Sequence, residues 1–181
     1  SHVLLSDNVE AWAARWRLLS SAKERIDVSY FIVEPDTFGL AFLGLLLDRA
    51  HQGVKVRLLL DARGSIGMTV PFHERDFLQE LAAAGVEVWL YNPVERKVLS
   101  SLFTLKGAGV VASTHDKIIV VDGEAAIIGG RNITARYFSD PRDDATAWVD
   151  ADVLVRGERA VRDIQKVFDA EHAVDGRPQT P

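Results

Sequence analysis

The sequence predicts an α/β fold, a three-layer α/β/α sandwich around a mixed, largely parallel sheet. Three observations carry this. At 181 residues, 48% of them hydrophobic, the chain can bury the core of about one domain. Between residues 25 and 91, β-branched and aromatic runs alternate with segments of helical periodicity, and strands that alternate with helices pair in parallel beneath them. Between residues 116 and 128, two apolar runs are parted only by Asp122-Gly123-Glu124, an antiparallel hairpin signal.

Asn8 to Lys23 reads as the first helix, with Asp7 as its N-cap. Val9, Trp12, Ala13, Trp16 and Leu19 recur there at helical spacing, which assigns Trp12 and Trp16 to the core. Arg25 to Val33 (RIDVSYFIV) reads as a strand, Thr37 to Gln52 as a helix ending at Gly53 with Phe42 in the core, and Val54 to Leu60 as the second strand. A helix over Phe72 to Ala84, stopped by Gly85, leads into a third strand, Val86 to Tyr91. After an irregular connection, Asn92 to Thr114, come the hairpin strands Asp116 to Val121 and Ala125 to Ile128. Ala147 to Val155 reads as a further strand and Glu158 to His172 as an amphipathic closing helix. Residues 1–174 then form a single domain, and 175–181 read as a linker or frayed end.

Composition narrows the chemistry. The absence of cysteine excludes disulfides, thiolate metal sites and cysteine nucleophiles. A net charge of -5 provides no broad positive field for non-specific nucleic-acid binding. The most apolar stretch, Phe38 to Leu47, falls short of the roughly 20 residues that span a bilayer.

The stretch that carries chemistry is THDKIIVVDGEAAIIGGRNIT, residues 114–134. His115 and Lys117 are two apart, so on a strand they leave the same face. If Gly123-Glu124 is the turn, Asn132 falls opposite His115; if Asp122-Gly123 is the turn, Gly130 does. In both registers His115, Lys117 and Asn132 come close, and Gly129 and Gly130 let a ligand approach the backbone. An imidazole, a fixed cation and an amide donor on one patch suit a phosphate ester: the imidazole attacks phosphorus or moves a proton, and the other two hold the non-bridging oxygens.

This run matches H-x-K-x4-D-x6-G-[SG]-x-N at His115, Lys117, Asp122, Gly129, Gly130 and Asn132, and so resembles the phospholipase D superfamily. Gly130 stands where many members have serine. Residues 11–64 (AWAARWRLLS through VKVRLLLDARG), 73–93 (HERDFLQELAAAGVEVWLYNP) and 129–141 (GGRNITARYFSDP) are similar to the first half of bacterial cardiolipin synthases. The resemblance implies that His115 attacks phosphorus, or serves as its acid/base counterpart, through a phosphohistidine. Lys117 and Asn132 would bind phosphate, and no metal or cofactor would be needed. It also implies a carboxylate that orients the histidine, for which Asp150 is the candidate and Asp152, on the same strand face, the competitor. Asp122, at the turn, is grouped with these residues by the motif but reads as a structural residue. Tyr30, Asp36 and Arg63, at or just past strand ends, are candidates for a pocket rim. His51, His73 and His172 read as surface or packing residues.

The mechanism of that superfamily uses two histidines, and one motif is present. A second half, either the rest of a longer chain or another copy about a two-fold axis, is therefore the expected partner. The close similarity to the first half of two-motif synthases favours the longer chain. The expected substrates are a phospholipid and an acceptor alcohol, with nucleic acid as the first rival and a catalytically silent docking domain as the second. Pro93 to Ser113 sets Arg96, Lys97 and Lys106 among Val98, Leu99, Leu102, Phe103 and Leu105. Such a segment either lies at a membrane interface or packs over the site. The expected location is peripheral to a bacterial cytoplasmic membrane.

Overall fold

The strands form where apolar runs fall between caps and turns, and they share one sheet. The computed structural model describes residues 1–68, 75–91, 115–175 and 177–178. Its strands are β1 (His2–Leu5), β2 (Arg25–Tyr30), β3 (Lys55–Asp61), β4 (Glu87–Tyr91), β5 (Lys117–Val121), β6 (Ala125–Gly129), β7 (Asp152–Arg156) and β8 (Arg177–Pro178). The helices are α1 (Asn8–Ser20), α2 (Thr37–His51), α3 (Phe77–Ala83), α4 (Ala135–Phe138) and α5 (Glu158–Asp175). The eight strands lie in the order β1-β7-β6-β5-β2-β3-β4-β8.

The α/β class and the three layers hold. Ile26, Val28, Ile119 and Ile127 point into the core that α1 to α4 cover, while Ile118, Val120 and Ala126 face Val161 and Ile164 of α5. The parallel share is smaller than expected. Only β2–β3 and β3–β4 are parallel, and the pairings of β5, β6, β7, β1 and β8 are antiparallel. β5 docks antiparallel on β2, at the edge of the parallel trio opposite β4. Both strands are central and buried on both faces, which gives β5 its continuous apolar run after Lys117, whereas β2 alternates, with Ile26, Val28 and Tyr30 on one face and Asp27 and Ser29 on the other.

The hairpin takes neither of the two-residue turns considered. Val121 pairs with Ala125, so all of Asp122-Gly123-Glu124 is loop, with Asp122 and Gly123 at φ 53 and 68. Continued upward, this register sets His115 against Arg131. β7 starts at Asp152, later than expected, because residues 147–151 bond elsewhere: the Trp148 N–H donates to Arg136 O (2.6 Å) and the Asn8 amide donates to Trp148 O (2.8 Å). Two tail residues, Arg177 and Pro178, pair with β4.

α1 packs Trp12 and Leu19 against the core as expected, but its buried face is rotated away from Val9 and Trp16. Trp16 is 41% and Val9 48% exposed, whereas Asn8 and Arg15 are buried. The cause is Asp152. Its carboxylate, fully enclosed, pairs with Arg15 Nη2 at 3.0 Å and with Arg131 Nη1 at 2.9 Å. Arg15 also donates to Tyr30 Oη (3.1 Å) and Ala11 O (3.0 Å). Arg131 donates to Leu5 O (2.9 Å), Ser6 O (2.8 Å) and Asn8 Oδ1 (2.9 Å). Each buried charge is thereby paired and hydrogen-bonded, the condition under which such a network is tolerable.

Removing the one anion from between two cations is costly. Asp152→Asn keeps the shape and lowers stability by about 3–5 kcal/mol, read as an earlier urea midpoint with an unchanged slope.

Candidate active site

β5 delivers the motif to one end of the sheet. Lys117 is its first residue and pairs with Tyr30 of β2; His115 lies just before it, exposed, while Lys117 is buried. Lys117 Nζ sits 3.2 Å from His115 Nδ1 and donates to the His115 carbonyl at 2.5 Å. The Phe31 ring completes the pair, 5.0 Å from the imidazole centroid and 5.6 Å from Nζ, a cation–π contact. Burial pushes the Lys117 ammonium below its usual pKa, with Asp116 and Asp150 opposing.

Asn132 reaches this end from the chain after β6. Its Oδ1 accepts from the Ile32 N–H at 3.1 Å, next to Phe31. Ile133 clasps the same segment through Ile133 N–H to Ile32 O and Glu34 N–H to Ile133 O, both 3.0 Å.

Gly129 and Gly130 serve closer neighbours than a ligand. A Cβ on Gly129 would meet Asp152 Oδ1 at 2.2 Å, and one on Gly130 would meet Asp150 Oδ1 at 2.3 Å and Oδ2 at 2.5 Å. Asp152, the competitor for orienting His115, is committed to Arg15 and Arg131. Asp150 is half-buried, accepts from the Ala151 N–H at 2.6 Å and acts on Lys117.

Other expected residues lie elsewhere. Tyr30 is 1% exposed, bonded to Arg15 and edge-on to Phe42, so it belongs to the core and not to a rim. Asp36 caps α2, accepting from Phe38 and Gly39 N–H at 3.0 Å, and ties α4 down through Ala135 N–H. Arg63 is exposed on the turn after β3. Asp122 sits at the opposite end of β5, roughly 20 Å along the chain from His115, so it does not touch substrate there. It accepts from Lys23, Glu24 and Arg25 N–H at 2.8–2.9 Å. Burial would raise its pKa, and these three donors outweigh that and lower it. His172 packs against Trp89, ring centroids 4.2 Å apart. Pro93 to Ser113 and His73 lie outside the described residues.

Phe31, Arg15, Arg131 and Asn8 were not singled out from sequence. Phe31 carried a signal, an aromatic at the carboxyl end of the first strand. The other three carried none, since a buried arginine reads as a surface one until its anion is placed.

A cleft of ≈ 250 Å³ opens beside His115, Asp116 and Lys117, with Ile118, Ile128, Ile164 and Val167 as its apolar wall. A larger hollow, ≈ 530 Å³, surrounds Asp122 at the other end. It holds no histidine, and its carboxylate is already taken up by backbone N–H groups, so the smaller cleft is the one suited to chemistry.

A family model described as "Cardiolipin synthase, PLD-like domain" matches residues 16–171. The cardiolipin synthase of Geobacillus thermodenitrificans is 36% identical over 166 residues, 91% of this chain and 30% of that protein. Cardiolipin synthase C of Escherichia coli is 33% identical over 166 residues, 91% of this chain and 33% of that protein. The chain thus spans about a third of these relatives' length. Among solved structures, Nuc of Salmonella typhimurium, a phospholipase D family member, shares the fold with a TM-score of 0.68 at 17% identity, covering 100% of both chains. Phosphatidylserine synthase of Haemophilus influenzae does so with a TM-score of 0.72 at 13% identity, covering 99% of this chain and 40% of that one.

Asp122 has a pH signature. Its folded pKa is depressed, so its contribution is present above the unfolded carboxylate value and disappears as pH falls through the folded one. Asp122→Asn, which tolerates the positive φ, loses roughly 1–2 kcal/mol at neutral pH. The gap to wild type closes below about pH 4, checked by denaturant titrations across pH.

Proposed function

Because this chain belongs to the PLD-like domain family of cardiolipin synthases, we propose that it transfers phosphodiester groups through a phosphohistidine on His115, as one half of a two-histidine site. The observation that carries this reading is the His115–Lys117 pair at the mouth of an apolar-walled cleft. Imidazole Nε2 attacks phosphorus with its lone pair only when the ring's proton is on Nδ1. An ammonium donating to Nδ1 favours the opposite tautomer. Attack therefore accompanies a shift of Lys117 from Nδ1 to a non-bridging oxygen, where it meets the charge it is suited to, and the Asn132 NH2 takes the neighbouring oxygen. Asp150 then supports Lys117 or, by a rotation of its side chain, the vacated Nδ1–H. The leaving alcohol takes its proton from a second histidine, which in turn deprotonates the acceptor alcohol that attacks the phosphohistidine.

That histidine comes from a second motif. Relatives roughly three times as long leave room for it in a longer chain, and a second copy is the other source. The substrates are a phospholipid and an acceptor alcohol, with phosphatidylglycerol able to be both. Among the described residues no helix is long and apolar enough to cross a membrane; the proposed contact with the bacterial cytoplasmic membrane rests on the mixture of basic and apolar residues in the sequence of connection 93–113. A phosphodiesterase acting on nucleic acid is the second reading, favoured by the full-length match in fold to a single-domain phospholipase D family member.

The test is lipid-product mass spectrometry with phosphatidylglycerol vesicles in EDTA, on this chain and on a parent carrying both motifs. The parent forms cardiolipin or phosphatidic acid, and His115→Ala lowers the rate by at least about a thousandfold. Product from the chain alone assigns the second histidine to another copy. Metal-free DNA cleavage that depends on His115, without lipid product, transfers the site to the nucleic-acid reading. Replacing Leu102 and Phe103 with serine weakens vesicle binding by about tenfold or more in a flotation assay; unchanged binding removes the membrane role of that connection.

A further inference from the structure

We propose that Gly130 is a positioning residue: its missing Cβ leaves the space in which the Asp150 carboxylate seats against the main chain, where it supports the Lys117 ammonium. The inference rests on the phosphate-binding role given to Lys117 above, and it concerns a position where many similar motifs carry serine.

The geometry is restrictive. A Cβ on Gly130 would lie 2.3 Å from Asp150 Oδ1, 2.5 Å from Oδ2 and 2.6 Å from Cγ. Because both oxygens and the carbon between them are too close, turning the carboxylate about its own axis relieves nothing. The group must retreat by about 1 Å or swing away, since ordinary carbon contacts begin near 3.5 Å. The backbone does not move aside easily. Gly130 N–H is bonded to Ala151 O at 3.1 Å, and Gly129 next to it is held against Asp152 by the same kind of contact. What yields is the Asp150 side chain, which is half-buried and gives up the 2.6 Å bond from its neighbour's N–H.

Lys117 registers the loss. Among the described residues, the groups that act on or contact its ammonium are His115, Asp116, Asp150 and the Phe31 ring. Tyr30, its partner across β2, directs its hydroxyl to Arg15. Burial disfavours the ammonium, and Asp116 and Asp150 are the carboxylates that hold it charged. With Asp150 evicted, one of these two supports goes. A serine at this position supplies a hydroxyl and removes the carboxylate's seat; glycine does the reverse, so the two residues represent alternative ways of holding an anion site.

The test reads Lys117 directly, by NMR titration of its side-chain carbon signals in this chain, and needs no substrate. Gly130→Ala and Gly130→Ser each move the Lys117 midpoint to lower pH, in the same direction as Asp150→Asn. The double variant Gly130→Ala/Asp150→Asn moves it no further than Asp150→Asn does, because both changes remove the same carboxylate. A remote core truncation, Val56→Ala, lowers stability and leaves the midpoint in place. If Gly130→Ala keeps the wild-type midpoint, if Asp150→Asn does, or if their shifts add, the proposal is overturned. Should Gly130→Ala fail to fold, Gly130→Ala/Asp150→Gly restores folding by clearing the space; a double variant as unfolded as the single one places the clash elsewhere and also overturns it. Failure of the lipid assay leaves these outcomes unchanged, and a negative titration leaves the lipid assay unchanged.

Discussion

One carboxylate holds the rest in place. Asp152 lies between Arg15 of α1 and Arg131 of the segment after β6, and no part of it meets water. Through Arg15 it fixes which face α1 buries and where the Tyr30 hydroxyl points. Through Arg131, which also binds Leu5 O, Ser6 O and Asn8, it fixes the path between Gly130 and Asn132. Two cations sharing one anion in a low-dielectric interior are stable only as a set. Position is therefore transmitted from the first helix to the Asn132 amide by charges buried in the core.

β5 divides two kinds of work between its ends. At one end Lys117 is buried beside an exposed imidazole, a strained electrostatic position that burial makes worse and two carboxylates relieve. At the other end Asp122 gathers three backbone donors and is saturated. A motif that reads as one constellation in sequence thus contains a reactive cluster and a remote anchor. The anchor keeps the turn and the start of β2 together, and the rigid strand between them converts that into placement of Lys117.

The hairpin motif, the α/β alternation and the Asp7 helix cap were legible in sequence because each is a local pattern. Asp7 caps the helix it was expected to precede, Asp36 caps α2 where a pocket-rim residue was expected, and His115 and Lys117 meet as their spacing requires. The parallel share of the sheet was overestimated because strand order is decided by where β5 returns, which no local pattern records. Register was missed by one residue because the loop takes three residues, Asp122, Gly123 and Glu124, where a two-residue turn was expected. Tyr30 resembled a rim residue from its place at a strand end and is core because α1 and α2 cover that face. Arg15 and Arg131 were illegible for a physical reason: a buried charge is stable only through partners far away in the chain, and Asp152 lies 137 residues beyond Arg15 by the numbering.

The position of β2 in the sheet constrains the route by which the chain folds. Its parallel neighbour β3 arrives about thirty residues later, yet its other neighbour, β5, begins only at Lys117. Pairings that span so much sequence close late, because the intervening loop must be ordered first. Until then β2, buried on both faces in the finished sheet, keeps an open edge that any extended segment can join. During synthesis this edge is the chain's main exposure to misassembly, and the arrival of β5 that ends it is the same event that brings His115 and Lys117 to the end of the sheet.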